Sequence, residues 1–243
     1  MIRKSLTLLV GLTLTASVYA ANEKTICGET DDRVPSYNPK VARALGSMTE
    51  PAGCTITMIG RTCAISAGHC HTTFGFAEFN TPLSANGSIQ HPGQEDIYEI
   101  DKSSAVYTNG GQGNDFAVVR IKQNSLTGKL PGDAQGHYEV SFNMPAEGDM
   151  VRITGYGADY GDDDRNFAQQ THSGPITTLN RGSSVMNHQA DTMGGNSGSS
   201  IIHEKTGKII AIHTHGGCYS RGGSNASTLI ASHDKLKQAI QSC

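Results

Sequence analysis

The chain has no tryptophan, aromatic residues make up only 6% of it, and charged residues only 17%. Its net formal charge is −3 over 243 residues, and no run of lysines or arginines occurs anywhere. That balance lacks the basic stripe by which nucleic-acid binders are recognised, so no nucleic-acid partner is expected. There is no CxxC pair and no HExxH, which argues against a zinc ribbon and against a metallohydrolase built on that helix. Cys70 and His71 are adjacent and His69 is near, but neighbouring residues on a strand or turn point apart, so zinc is set aside and no cofactor is expected. After residue 20 no apolar stretch approaches the length a bilayer requires.

What the chain does contain first is an export signal. Arg3 and Lys4 precede the apolar run Leu6 to Val18, and Val18-Tyr19-Ala20 offers a small residue for cleavage. The run is too short to anchor, and Asn22-Glu23-Lys24 follows directly. Residues 1–20 are therefore read as a signal peptide, with a secreted or periplasmic product and no membrane association after cleavage. Residues 21–33 form an N-terminal segment with room for a short propeptide ending near Lys24. The six cysteines, Cys27, Cys54, Cys63, Cys70, Cys218 and Cys243, are an even set in an exported chain and point to disulfides.

Glycine is abundant at 29 residues and well spread, which favours many turns between short strands. Thr55 to Ile59, Ala117 to Ile121, Met150 to Thr154 and Lys208 to Ile212 are apolar or alternating, bounded by Gly, Pro or Asn, and read as strands of a barrel or sandwich. Tyr138 to Gly148, with Pro145, is the expected crossing between two halves. One helix is predicted near the C-terminus, capped by Ser232, with Leu236, Ala239 and Ile240 on one apolar face. Asp162-Asp163-Asp164 reads as a solvated loop.

Three motifs carry chemistry: Ala67-Gly68-His69-Cys70, Asn114-Asp115-Phe116-Ala117-Val118 and Gly194-Gly195-Asn196-Ser197-Gly198-Ser199. A serine hydroxyl needs an adjacent base to attack. His69 can take that proton and return it to a leaving amine, and Asp115 can hold the imidazole tautomer. The glycines beside Ser197 leave backbone N–H groups unshielded, and Gly195 and Ser197 are the candidate oxyanion donors.

These motifs, in the order His, Asp, Ser, resemble the chymotrypsin/trypsin-fold serine peptidases over nearly all of the chain after residue 33. The resemblance implies an all-β fold of two antiparallel six-stranded β-barrels with a C-terminal helix. The N-terminal barrel would occupy 34–140, and the C-terminal barrel with its helix 141–243. It also implies polypeptide substrates and a monomer. The family bridges cysteines at the separation of Cys54 and Cys70 around its catalytic histidine, a closure contributing about 3 kcal/mol in the chain-entropy model. The other four cysteines allow three pairings, of which Cys27–Cys218 and Cys63–Cys243 are favoured.

Within that fold, Asn196, Asp191-Thr192, the stretch Ile212 to Gly217 and Asp32-Arg33-Val34 resemble the V8-like glutamyl endopeptidases. A substrate glutamate needs donors without a fixed buried charge. His213 and Thr192 can supply them, Thr214 would pair with substrate backbone, and His215 and Gly216 would line the cleft. Cleavage after Glu is expected. Two alternatives stand beside it: trypsin-like Arg/Lys specificity if Asp191 faces the pocket, and an inactive binding homologue. Asn196 carries no charge, so an ammonium–aspartate activation switch is expected to be absent. His71, His91, His137, His172, His188, His203 and His233 are given structural or surface roles.

Overall fold

The computed structural model describes residues 25–50 and 53–243; the predicted signal peptide and Lys24 lie outside the described residues. The architecture is two closed antiparallel six-stranded barrels. The first is built from β2 (Val41–Leu45), β3 (Cys54–Met58), β4 (Cys63–Ser66), β5 (Phe76–Glu78), β6 (Ile97–Asn109) and β7 (Asp115–Ile121), in ring order β2-β3-β4-β7-β6-β5. The second uses β8 (Met150–Gly155), β9 (Gln170–Asn180), β10 (Val185–His188), β11 (Ser200–His203), β12 (Lys208–His215) and β15 (Asn225–Leu229), and closes through the β8–β9 pairing. A short β1 (Val34–Pro35) adds to β9, and β13 (Cys218–Tyr219) pairs with β14 (Gly222–Gly223) as a separate ribbon. Closure removes the unpaired edges that short, glycine-bounded strands would otherwise expose.

The alternation along β7 shows how one strand serves two cores. Ala117, Val119 and Ile121 fill the first barrel with Ile56, Met58 and Ile100. Phe116 and Val118 turn the other way and meet Ile65, Ile209 and Ile212 in a core between the barrels. Val151, Ile153, Met186, Ile201 and Leu229 fill the second barrel. The helix α2 (Asp234–Ser242) seats Leu236 and Ala239 on the inter-barrel core, with Ile240 packed beside them. Its cap differs from the expectation. Ser232 belongs to a preceding 3-10 turn, and the N-cap is His233, whose Nδ1 accepts the Leu236 N–H at 3.2 Å. An imidazole nitrogen serves as well as a hydroxyl for the orphan N–H of a first turn. A short α1 (Pro131–Gln135), begun by a proline whose missing N–H is harmless there, was not anticipated.

Three disulfides tie these parts: Cys54–Cys70, Cys27–Cys218 and Cys63–Cys243. The last fixes α2 to the first barrel. No described helix is long and apolar enough to cross a membrane.

Arg43 and Glu78 face each other across β2 and β5, with side chains 1% and 0% exposed. Arg43 donates to Glu78 Oε2 at 2.6 and 3.0 Å, to Gln90 O at 2.8 Å and to Phe167 O at 3.1 Å, the last across the barrel boundary. Glu78→Ala would leave a guanidinium buried without its counter-charge. Chemical denaturation should show a loss of about 3–5 kcal/mol; a loss under about 1 kcal/mol would mean the pair is structurally dispensable.

Candidate active site

The 3-10 turn Gly68–Thr73 follows β4 and carries His69 to the cleft. Asp115, at the start of β7, is fully buried and receives three donors. Its Oδ1 accepts the N–H groups of Gly68 at 2.6 Å and His69 at 3.1 Å, and its Oδ2 lies 2.6 Å from His69 Nδ1. With Nδ1–H donated there, the tautomer leaves Nε2 as an acceptor toward the cleft. Asp115 is itself clasped by the second barrel. Thr228 on β15 donates to its carbonyl at 2.7 Å and accepts its N–H at 3.2 Å.

Ser197 lies in the loop between β10 and β11. Asn196, buried, accepts Met193 N–H on its side chain at 3.1 Å and Ser199 N–H on its carbonyl at 2.9 Å, so it organises the loop from within. The loop is then pinned to the first barrel. Thr55 N–H donates to Ser197 O at 2.8 Å, and Thr55 Oγ1 donates to Gly195 O at 2.9 Å. The Cys54–Cys70 bridge lies alongside, with Cys70 Sγ 3.7 Å from Ser197 O. Gly195 adopts φ +103°, and a Cβ there would stand 2.2 Å from Tyr156 O, so conformation and space both demand glycine. Among the described residues neither Gly195 N–H nor Ser197 N–H has an acceptor. Two unspent backbone donors beside a serine can polarise a carbonyl oxygen.

Histidines stand beside the serine loop, where Gly198 N–H donates to His213 O at 2.9 Å. His213 on β12 is 3% exposed, and its Nδ1 lies 3.3 Å from Nε2 of His188, itself fully buried. Burial holds His213 well below the usual imidazole range, helped by the nearness of His188, His215 and His69. Burial likewise lowers His188 to about 3, against an opposing contact with the Ala190 backbone. His215 stands edge-on to His69 at 6.3 Å between ring centres, with Nδ1 2.8 Å from Thr214 Oγ1. Thr214 is buried and bonds Ala226 O, while the Thr192 hydroxyl is buried without a partner.

Asp191 looks elsewhere. Its carboxylate accepts Cys27 N–H at 2.7 Å and Asp32 N–H at 2.9 Å, and so holds the N-terminal segment. Burial pushes this carboxyl up, opposed by those two donors and by His172. Asp32, His172 and Asp191 form a group spaced for a metal ion. His172 Nδ1 also accepts Asp191 N–H at 2.8 Å, so in that arrangement it is turned to the protein backbone.

Three further participants carry no signal in the sequence. Thr25 enters the pocket region: its carbonyl accepts Thr192 N–H at 3.3 Å and Asn225 Nδ2–H at 2.8 Å, and its methyl packs where Gly216 has no Cβ. Asn225 also bonds Ala190 O, Gly217 N–H and Cys218 N–H, joining both pocket walls. His188, read only as a default histidine, backs His213. A buried asparagine on a short strand and a paired histidine leave no local pattern that could have announced them.

Two barrels meeting at a cleft with this His–Asp pair and serine loop define the chymotrypsin-type serine protease fold. The trypsin family model matches residues 35–240, and the chain belongs to that family. Among solved structures it is similar to a Glu endopeptidase in complex with MPD, at TM-score 0.68 and 19% identity, covering 89% of this chain and 98% of that one. A thermostable serine protease AL20 from an extremophilic microorganism gives TM-score 0.61 and 15% identity over 84% and 96% of the two chains. Protease Anisep from Arthrobacter nicotinovorans gives 0.61 and 16% over 86% and 99%. No curated protein matches the sequence.

His188 sets a pH dependence. It titrates near 6.5 when exposed and about 3 when folded, so between those values the unfolded chain binds a proton that the folded one refuses. Stability must fall as pH drops through that window, at up to about 1.4 kcal/mol per pH unit. Urea unfolding of His188→Gln between pH 6.5 and 4 should show a shallower decline than wild type. Parallel curves would mean that His188 does not resist protonation.

Proposed function

We propose that the chain is an exported serine endopeptidase that cleaves after glutamate. Ser197 Oγ attacks the scissile carbonyl while His69 Nε2 takes its proton. The oxyanion is held by Gly195 and Ser197 N–H, and His69 then protonates the leaving amine. Water repeats the sequence on the acyl-enzyme. Asp115 keeps the imidazole in the working tautomer and stabilises its charged form. The product would be a secreted or periplasmic monomer with barrel domains 34–140 and 141–243.

The observation that carries the glutamate reading is the pairing of His213 with His188, both held toward the neutral form by burial, together with a Thr192 hydroxyl that has no partner. Such a wall offers donors at little desolvation penalty, and a substrate carboxylate favours proton uptake by the imidazole. The Arg/Lys alternative needs the Asp191 carboxylate in the pocket, whereas both its oxygens are engaged by the N-terminal segment. Thr25, lodged between Thr192, Gly216 and Asn225, supports an activation step in which a propeptide ending near Lys24 is removed and Thr25 is displaced.

Initial rates on matched peptides ending in Glu, Asp, Arg, Lys, Phe or Ala should show Glu dominant, and Ser197→Ala should abolish cleavage. Asp115→Asn should lower kcat by about 10⁴-fold. Arg/Lys dominance would move the pocket to Asp191, and inertness of mature folded protein to all six would favour a binding homologue.

A further inference from the structure

A cavity of about 260 Å³ lies between residues 48–50 and the end of the 159–168 loop, with Met48, Glu50, Ile89, His91, Asn166 and Phe167 in its walls. It shares a wall with the oxyanion loop, because Phe167 Cδ1 lies 3.2 Å from where a Cβ on Gly195 would stand. The glutamate pocket proposed above is walled by Thr192, β12 and β15. The cavity shares no lining residue with that pocket; it reaches the serine loop through Phe167 beside Gly195, and the Cys54–Cys70 bridge reaches the same loop at Ser197 O. With the acyl half of a substrate along His213 and His215, as in the reading above, the bridge and Phe167 border the serine loop where the leaving half would pass.

The cavity is a built feature, because two of its walls hang from one buried ion pair. Arg43 bonds Phe167 O on one wall and Gln90 O on the other, and Glu78 Oε1 lies 2.5 Å from His91 Nδ1. Phe167 is held at φ +54°, a conformation a bulky residue adopts only under such constraint. Its N–H is bonded to Gly157 O at 3.0 Å.

Charge decides what would enter. Arg43 is neutralised by Glu78, and His91 Nδ1 is turned away onto the other oxygen of that carboxylate. Glu50 lines the cavity with no cationic partner among the described residues, its Oε2 accepting only Gly46 N–H at 2.8 Å. At the rim, Asp163 Oδ1 lies 3.5 Å from a Cβ position on Gly87. Met48, Ile89 and Phe167 supply apolar surface for a long stem, so the walls fit an aliphatic chain with a cationic head.

Building on the endopeptidase reading, we propose that this cavity is a leaving-group subsite that selects lysine or arginine among the first three residues after the scissile bond, with Glu50 as the selecting charge.

The test uses internally quenched peptides with one fixed acyl half ending in Glu and a leaving half carrying Lys, Arg, Leu or Glu at each of those positions. At one position kcat/KM should rise about 3- to 10-fold for Lys or Arg over Leu, the worth of one partly exposed charge pair. In Glu50→Gln, which retains an acceptor for Gly46 N–H, the Lys-to-Leu ratio should fall to about one. That ratio does not depend on how much of the variant is folded. A flat profile in the wild type, or a preference that survives in Glu50→Gln, overturns the subsite and leaves the peptidase reading standing. Failure to cleave both these peptides and a Glu ester with no leaving-group residues overturns both.

Discussion

The registration of the two barrels against each other is the constraint on which the rest depends. The groups of the proposed triad come from both sides: His69 and Asp115 from the first barrel, Ser197 from the second. Hydrophobic contact between the barrels, through residues such as Phe116 and Ile212, is strong but non-directional and would tolerate sliding. Hydrogen bonds set the position. Thr55 grips the carbonyls of Gly195 and Ser197, Thr228 grips both backbone groups of Asp115, and Arg43 reaches Phe167 O. Each crosses the seam close to a reacting group, and each is buried or half-buried, where a misplaced donor is expensive.

Polar grouping at the pocket follows a second rule, avoidance of fixed charge. An arginine in the place of His213 would bind a carboxylate strongly, but in the free enzyme it would be a buried cation without a partner. Two histidines 3.3 Å apart, whose burial favours the neutral form, would in the proposed glutamate pocket retain the capacity to take one proton when an anion arrives. Where full charge is buried in this chain, as at Arg43 and Glu78, it is matched and hydrogen-bonded on nearly every side. Asp191 follows the same rule, with backbone donors on both oxygens.

Much of this was legible in the residues. The strand positions Thr55, Ala117, Met150 and Lys208 fall within observed strands because alternation and glycine boundaries are local properties. The apolar face of α2 was equally local, whereas its cap was not. Ser232 and His233 both carry acceptors, and only the geometry of the preceding 3-10 turn decides between them. His69, Asp115 and Ser197 were marked by neighbours of small size, which a close backbone approach requires. Thr25, Asn225 and His188 were not marked, because their partners lie far along the chain and no spacing encodes such contacts. The seam bonds of Thr55 and Thr228 escaped for the same reason.

The N-terminal segment joins these themes. Thr25 and Asp32 flank Cys27, whose bridge to Cys218 fixes the segment to a pocket-wall loop independently of its hydrogen bonds. Were the propeptide proposed above removed, residue 27 itself would stay beside Asp191. The contacts open to change are therefore those of Thr25 with Thr192, Gly216 and Asn225. Losing them would free the Thr192 N–H and one N–H of the Asn225 amide in the region where the glutamate pocket is proposed, and would leave Asn225 still tied to Ala190, Gly217 and Cys218. The disulfide thus confines any rearrangement to the occupant of the pocket and spares its frame.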